Sequence, residues 1–451
     1  MAISHAAVAG GSSVPGKIDG PEWDAAHEGN GLDWYNVRDS PYSATGDGVT
    51  DDTSGIASAI TAAAASGGVV YIPAGTYITS PITLPPGVTL QGVNGQGYYN
   101  ATSTVPNSAS ISRLKLKSGS TNALISPDDG GVNLATHVRI IDLALDCNGL
   151  TQPAINLPDS GSSISRFWRM DRVYVVNVGG ATGYAVYIGN QNTACMMRDC
   201  VMFNGTSGSP AGNHAVGWYG SDGTMDFCFI GYWGGNGLEL LGGASDETFR
   251  MIGGGVFTCT TGIVAAGSGA VLQGVSIDHH FNDGIYIGYP ITLIGCWFHT
   301  NSRTTTNTWS NIRIANPVQV NILGCRAGPR AGETSNDPKY HIEAHATSVV
   351  NEIGSSVASG VAFGTAYTNY VGTVSAPTFP ATTVAVMNTT GAAVQAFITN
   401  GSGAITAVTL GSTVTGLTIA ANATQSINIP YGQTVAFTYG SGTPTWTWVH
   451  G

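Results

Sequence analysis

Residues 272–299 read LQGVSIDHHFNDGIYIGYPITLIGCWFH. Within this stretch LQGVSID and LIGCWFH begin 21 residues apart, and GIYIG between them has the same alternation of apolar residues. Similar pairs of runs recur from about Ile140 to His345, with first runs some 20 to 31 residues apart. Because the alternation has a period of two, each run predicts a short β-strand with one face turned inward.

Aligned with one another, the runs give columns of small or apolar residues. The first inward column is Leu143, Val173, Cys200, Cys228, Gly255, Val275, Cys296 and Cys325. The second is Leu145, Val175, Met202, Ile230, Phe257, Ile277, Phe298 and Ala327. The later run of each pair gives Ile155, Val186, Val216, Leu238, Ile263, Ile285, Ile312 and Ile342. Coils that bury an apolar face only by stacking predict a parallel β-solenoid, which the crossover rule makes right-handed.

The chain has seven cysteines and no CxxC pair. Four of the seven belong to the first inward column, where a thiol acts as a small core residue. The spacing therefore predicts reduced, buried cysteines, with no disulfide framework and no zinc site. We expect neither a metal nor a cofactor.

The solenoid needs a cover at its first edge, because an open strand edge invites aggregation. The Ala-rich stretch IASAITAAAA follows Asp52, Thr53 and Ser54, which are residue types that cap helices. This pattern predicts a short amphipathic helix that closes the first coil. We expect an opening coil and cap at 33–100 and the β-helix proper at 101–370.

The motifs GDGVTDD at 46–52 and YIPAGTY at 71–77 resemble the opening segment of the pectate-lyase-3-like, right-handed β-helix family. That family occurs in bacteriophage tailspikes and in polysaccharide-degrading enzymes. The resemblance is strong over 34–97 and continues to about 365 by repeat pattern only. It implies the fold and assigns no catalytic group, since the Asn-Thr-Asp, Asp-Asp and Gly-His-Gly set of polygalacturonase-like β-helices is missing.

The two ends of the chain differ from the coils. Residues 1–32 resemble the N-terminal attachment arms of phage tail proteins, notably at PEWDAAH (21–27). Residues 375–451 contain six to eight alternating runs with Gly-rich turns, and 353–451 contain no Asp, Glu, Lys or Arg. This pattern predicts a β-sandwich-like module that resembles the C-terminal modules of phage tail proteins, which trimerise or bind the receptor. The expected fold class is all-β: a right-handed parallel β-helix with a short N-terminal capping helix and this module.

Charge and hydropathy exclude several classes of protein. The net charge of −11 argues against nucleic-acid binding, and no apolar run approaches the roughly 18 residues that a membrane span needs. The N-terminus has neither the basic nor the apolar region of a signal peptide. We therefore expect a soluble protein made in the host cytoplasm and carried in the virion, with no membrane insertion.

One outward column holds the densest cluster of acid, imidazole and aromatic residues. It is Asp146, Val176, Phe203, Gly231, Thr258, Asp278, His299 and Gly328. Glycosidases use two carboxylates roughly 5 to 9.5 Å apart, and Asp278 with Asp283 is the close pair here. We predict Asp278, Asp283 and His299 as catalytic residues. The predicted substrate-binding neighbours are Trp297, His280 and Arg326, and a lyase would use His280 or Arg326 as its base.

A second outward column is Asn156, Tyr187, Gly217, Glu239, Val264, Tyr286, Arg313 and Glu343. Glu239 has no opposite charge in this column, so we add it as a further catalytic candidate. Tyr286 and the loop residue Trp309 are predicted substrate contacts. Arg313 and Glu343 are expected to form a surface ion pair.

These observations predict a homotrimeric phage tail protein of the tailspike or tail-fibre type. It would dock on other tail or baseplate proteins through the N-terminal arm and attach to host surface polysaccharide. Whether it also cleaves that glycan, as a hydrolase or a lyase, stays open. The alternatives are a non-enzymatic structural or decorating component of the tail, and a free polysaccharide lyase or hydrolase.

Overall fold

The computed structural model describes most of the chain. The described residues are 33–94, 110–128, 134–158, 164–180, 183–190, 192–206, 209–210, 212–242, 249–267, 269–304, 308–328, 338–345, 348–353, 355–357, 376–388, 394–430 and 432–450. The predicted attachment arm, 1–32, lies outside them.

Three long parallel sheets of 12, 12 and 10 strands form the body of the molecule, and ten of the described coils give one strand to each sheet. Sheet 1 consists, in order, of Trp34–Asn36, Val69–Tyr71, Thr89–Gln91, Arg139–Ile141, Arg169–Asp171, Met196–Arg198, Thr224–Asp226, Phe249–Ile252, Ala270–Gln273, Ile291–Ile294, Gln319–Leu323 and Val349–Ile353. Sheet 2 consists of Asp47–Asp51, Gly75–Thr79, Ser112–Leu116, Ala144–Asp146, Tyr174–Val176, Val201–Phe203, Phe229–Gly231, Gly255–Phe257, Ser276–Asp278, Trp297–His299, Arg326–Ala327 and Ser356–Val357. Sheet 3 consists of Ile82–Leu84, Ile125–Pro127, Ile155–Leu157, Tyr184–Ile188, His214–Trp218, Leu238–Leu240, Ile263–Ala265, Ile285–Ile287, Ile312–Ile314 and Ile342–Ala344.

This arrangement confirms the right-handed parallel β-helix. Two short pairs of strands lie outside the three sheets, Leu134–Thr136 with Ile164–Arg166 and Gly205–Thr206 with Ser209–Pro210. One continuous apolar core runs between the sheets. All seven cysteines are buried with free thiols, as the inward column predicts.

Helix α1, Thr53–Ser66, lies at the N-terminal end of the solenoid. Its buried face consists of Gly55, Ile56, Ala59, Ile60 and Ala63. The helix packs against Trp34–Asn36 and Val69–Tyr71 of sheet 1 and against Gly75–Thr79 of sheet 2. It ends at Gly67, whose positive φ of 69° closes the last turn. The predicted capping helix is confirmed.

The register of one coil differs from the prediction. Ile230, Val256 and Ile277 are paired neighbours in sheet 2, so Val256 points inward and Phe257 points outward. The predicted inward positions Gly255 and Phe257, and the outward position Thr258, are each one residue too late. Three successive glycines before Val256 leave no side chain to fix the alignment, and a one-residue slip exchanges the two faces.

A repeated backbone conformation forms the corner between sheets 1 and 2. One residue per coil there has a positive φ, between 49° and 64°, in the set Asp142, Arg172, Asp199, Phe227, Gly253, Gly274, Gly295 and Gly324. Glycine enters this conformation without the steric cost that a Cβ imposes. The positive φ at this corner explains why a glycine directly precedes each of the inward residues Val275, Cys296 and Cys325.

The C-terminal module contains two antiparallel sheets. One is Val386–Met387, Thr434–Tyr439, Ile405–Leu410 and Thr413–Val414, and the other is Thr424–Ile429, Val394–Thr399 and Thr445–His450. Ile398, Phe437 and Trp448 belong to one buried cluster that both sheets share. This is the sandwich-like packing that the sequence predicts. Among the residues placed by the structure, no helix has the length and apolar character to cross a membrane.

Candidate functional site

Asp278 and His299 are direct neighbours on adjacent strands of sheet 2. The Nε2 atom of His299 lies 2.8 Å from Oδ2 of Asp278, and Nδ1 of His279 lies 3.1 Å from Oδ1. The carboxylate is thus held between two imidazoles. This contact follows from the stacking of successive coils about 4.8 Å apart.

Two opposing effects act on the ionisation of Asp278. Burial disfavours the charged form, but the hydrogen bonds from His279 and His299 outweigh burial and hold the pKa of Asp278 well below its ordinary value. The side chain therefore stays a carboxylate throughout the neutral range. The Nδ1 atom of the buried His299 has no hydrogen-bond partner among the described residues.

An exposed aromatic residue adjoins this pair. Trp297 is 42% exposed, and its ring centroid lies 4.7 Å from that of His299. The guanidinium of Arg326, on the next strand, lies 5.7 Å above the Trp297 ring. An exposed indole beside charged and hydrogen-bonding groups is the arrangement that a sugar ring can stack on.

The outer face of sheet 2 continues as an aromatic row. Phe257 is the strand neighbour of Asp278, and its ring lies 5.2 Å from Phe203 and 5.3 Å from Tyr232. Because the register of this coil differs from the prediction, an aromatic ring stands where the threonine was expected. A signal for it existed in the sequence, since Phe203 is in the same outward column.

Asp278, His279 and His299 also have ligand atoms within 4.8 Å of one another. Two imidazole nitrogens and a carboxylate are a donor set for a divalent transition-metal ion. Each carboxylate oxygen, however, is already at hydrogen-bond distance from one imidazole. A hydrogen-bonded triad therefore accounts for the geometry, and no step is assigned to a metal.

His280 does not belong to this surface. It points into the solenoid with no exposed area, and its Nδ1 accepts a hydrogen bond of 3.2 Å from the backbone N–H of Cys259. Its Nε2 lies 3.0 Å from the carbonyl oxygen of Val256. Burial lowers the pKa of His280 to about 4, so the ring is neutral at pH 7. The predicted role of His280 as a substrate contact or a base is wrong in this structure, because the side chain links two coils.

Asp283 lies beyond the corner, next to sheet 3. Its Oδ1 accepts a 2.8 Å hydrogen bond from the backbone N–H of Ser310, and its Oδ2 lies 3.8 Å from Arg313. Asp278 and Asp283 therefore have different neighbours, and no contact among the described residues joins the predicted catalytic pair. Only four residues lie between them in sequence, but the chain turns from one sheet to the next there.

The predicted Arg313–Glu343 ion pair is also absent from the described contacts. Glu343 instead accepts hydrogen bonds from Lys339 at 3.2 Å and from the Ser310 hydroxyl at 2.8 Å. Arg313 is turned towards Asp283, with its guanidinium 5.8 Å from the Trp309 ring. Strand neighbours need not pair when a loop residue offers a better partner.

Tyr286 and Glu239 have their predicted places on the outer face of sheet 3, where Tyr286 is the strand neighbour of Arg313. Glu239 is buried against three side chains: Tyr184 and Asn236 donate hydrogen bonds of 2.6 Å, and His214 lies at 2.6 Å. Burial alone would raise the pKa of Glu239, but these partners lower it. The alignment of outward strand positions could not predict these three partners of Glu239, because the partners come from other positions of the coil.

The predicted site is therefore divided between two faces. Trp297, His299, Asp278 and Arg326 lie on sheet 2, whereas another group lies on or beside sheet 3. That second group comprises Glu239, Asp283, Tyr286 and Trp309, together with Ser310, Arg313, Lys339 and Glu343. Ser310 and Lys339 could not be predicted from the sequence, because both lie in loops, which have no repeating pattern of apolar residues.

Comparison with known families defines the class of protein. Residues 34–286 match the family model described as Rhamnogalacturonase A/epimerase, pectate lyase-like. The match spans more than half of the chain. The chain accordingly belongs to this family of pectate-lyase-like β-helices.

Individual relatives are more distant. A 47-residue stretch is 60% identical to mannuronan C5-epimerase AlgE5 of Azotobacter vinelandii, and it covers 10% of this chain and 4% of the epimerase. The A-module of mannuronan C-5 epimerase AlgE6 from the same organism is 18% identical, with a TM-score of 0.48 over 74% of this chain and 98% of that chain. Full-length tailspike protein 2 of Escherichia coli O157:H7 bacteriophage CAB120 is 14% identical, with a TM-score of 0.53 over 93% of this chain and 71% of that one. At this identity the likeness to the tailspike is one of fold.

Proposed function

We propose that the protein is a phage tail protein of the tailspike type that attaches to polysaccharide on the host surface through the outer face of sheet 2. The observation that carries this proposal is the exposed Trp297 ring beside the Asp278–His299 pair and beneath Arg326. The ring offers a stacking surface, while the carboxylate and the guanidinium offer hydrogen bonds to hydroxyl groups. The tailspike-like fold supports the proposal.

The proposal includes the assembly predicted from the sequence. The chain acts as a homotrimer, docks on tail or baseplate proteins through residues 1–32, and uses 375–451 for trimer or receptor contact. The absence of charged residues from 353 onward supports an assembly role, because a surface without ions is buried at little desolvation cost. The location that follows is the virion tail.

The test is a binding screen with the full chain. Fluorescently labelled protein is incubated with a panel of bacterial strains, and polysaccharide extracted from each bound strain is used as competitor. We expect the extracted polysaccharide to abolish cell binding and Trp297→Ala to weaken it. Binding to no strain would favour a purely structural component of the tail, and cell binding that the polysaccharide does not displace would contradict a polysaccharide receptor.

A further inference from the structure

Two carboxylates from coils on either side of the strand Ile312–Ile314 meet at one serine beside sheet 3. The backbone N–H of Ser310 donates to Oδ1 of Asp283 at 2.8 Å, and its hydroxyl donates to Oε2 of Glu343 at 2.8 Å. The two donor atoms of a serine are about 3 Å apart, so Oδ1 of Asp283 and Oε2 of Glu343 lie no more than roughly 9 Å from each other. The inverting glycosidases, in which a base activates the attacking water, hold their two carboxyl groups roughly 6.5 to 9.5 Å apart, a spacing that this upper bound accommodates.

The two carboxylates have different environments. Asp283 is almost fully buried, and burial raises its pKa to about 6, with the Ser310 N–H and Arg313 acting in the opposite direction. Its Oδ2 makes no hydrogen bond to the described residues, since Arg313 stands 3.8 Å away. Glu343 has 22% of its side chain exposed and is paired with Lys339. Burial thus favours the protonated form of Asp283, whereas Glu343 is partly exposed and contacts the Lys339 ammonium group.

The surroundings suit a sugar chain. Tyr286 occupies the outward position on the strand next to Arg313, and Trp309 lies beneath the Arg313 guanidinium. The Arg313 side chain is 37% exposed, so it can move aside from Asp283 without disturbing the core. Aromatic rings flanking a pair of carboxylates provide both stacking and chemistry.

We propose that Asp283 and Glu343 are the catalytic acid and base of a glycoside hydrolase site that cleaves the polysaccharide bound by the protein. The inference rests on the proposed function for its substrate class, a surface polysaccharide. Asp283 gives its proton to the glycosidic oxygen as the bond from that oxygen to the anomeric carbon breaks. Glu343 takes a proton from the attacking water, whose oxygen forms the new bond to the same carbon. One water is consumed for each bond cleaved, and solvent carries the proton from Glu343 back to Asp283.

The experiment uses the full chain and the polysaccharide extracted from a strain that binds it. Reducing ends, the ultraviolet absorbance of unsaturated ends, and label from ¹⁸O-water are measured together. Hydrolysis predicts new reducing ends that carry ¹⁸O, without unsaturated products. Asp283→Asn and Glu343→Gln each remove one proton-transfer group, so we expect cleavage to fall by about 100-fold or more.

The controls separate chemistry from folding and from binding. Asp171→Asn, on sheet 1, is expected to leave cleavage unchanged, and each variant is checked for polysaccharide binding and thermal unfolding midpoint. Glu343 is partly exposed, so Glu343→Gln tests the site even if Asp283→Asn fails to fold. Unsaturated products, bound polysaccharide that stays uncut, or full activity of Glu343→Gln would each overturn the inference. Failure of the proposed function would look different, because no polysaccharide would bind at all.

Discussion

Oδ2 of Asp278 lies 2.8 Å from Nε2 of His299, although the two residues belong to successive coils. The contact exists because strands Ser276–Asp278 and Trp297–His299 pair in parallel and in register. The pairing of strands on successive coils therefore brings two residues 21 positions apart in sequence within hydrogen-bond distance. The residue Trp297, two positions before His299, is brought to the same surface by the same pairing.

The Asp278 pair predicts a specific dependence of stability on pH. The folded pKa of Asp278 is depressed, so its ionised form stabilises the fold above the unfolded value of about 3.9, and this stabilisation is lost as pH falls through the folded value. Asp278→Asn is expected to cost about 1–3 kcal/mol of unfolding free energy at neutral pH. Urea unfolding should show the gap between the two proteins narrowing in acid. A gap that stays constant down to pH 2 would contradict the assignment.

The Trp297 surface predicts a loss of glycan affinity. Removing the indole by Trp297→Ala should weaken binding to the extracted polysaccharide about tenfold, which corresponds to about 1.4 kcal/mol. Phe167→Ala serves as the matched control. It removes another aromatic side chain that is 44% exposed, just before the sheet 1 strand Arg169–Asp171. Equal affinities of Trp297→Ala and the wild-type protein would place the binding surface elsewhere.

The pKa of Asp283 predicts how cleavage depends on pH. Because the proposed acid must be protonated, activity should decline as pH rises through about 6. Arg313 lowers the pKa of Asp283, so Arg313→Gln is expected to move this decline to higher pH. Arg250→Gln, on sheet 1, should leave the profile in place. A profile of Arg313→Gln displaced to lower pH would show that another group titrates.

The buried thiols predict chemical inertness. Burial raises the pKa values of Cys195 and Cys259 to about 12, so little thiolate exists at neutral pH. A thiol-specific reagent should modify none of the seven cysteines in the folded protein and all of them after denaturation. Rapid labelling of two or more thiols before unfolding would contradict the burial of the cysteine side chains.

The C-terminal module predicts a change of assembly state. Deletion of 375–451 is expected to convert the proposed trimer into monomers, because it removes the uncharged surface proposed to join the chains. Light scattering gives the mass of each form in solution. A truncated protein that keeps three times the mass of its chain would assign trimerisation to the solenoid.

The solenoid and most of its inward positions are predictable from the amino-acid sequence. Alternation with a period of two fixes which side chains must leave water, and repetition every 20 to 31 residues fixes that coils stack. The pair of Asp278 and His299 followed from the same rule, since both lie in strands. Next to Gly253, Gly254 and Gly255, which have no side chains, the same rule predicted the inward positions one residue too late.

Which carboxylates meet depends on the three-dimensional path of the corners and loops. Asp278 and Asp283 are close in sequence, yet His279, with its positive φ of 57°, and the inward His280 form a corner that directs them to different faces. Asp283 and Glu343 are far apart in sequence, yet Ser310 binds both. Strand periodicity carries no information about the path of a loop, because a loop is held by individual hydrogen bonds and not by a repeating face.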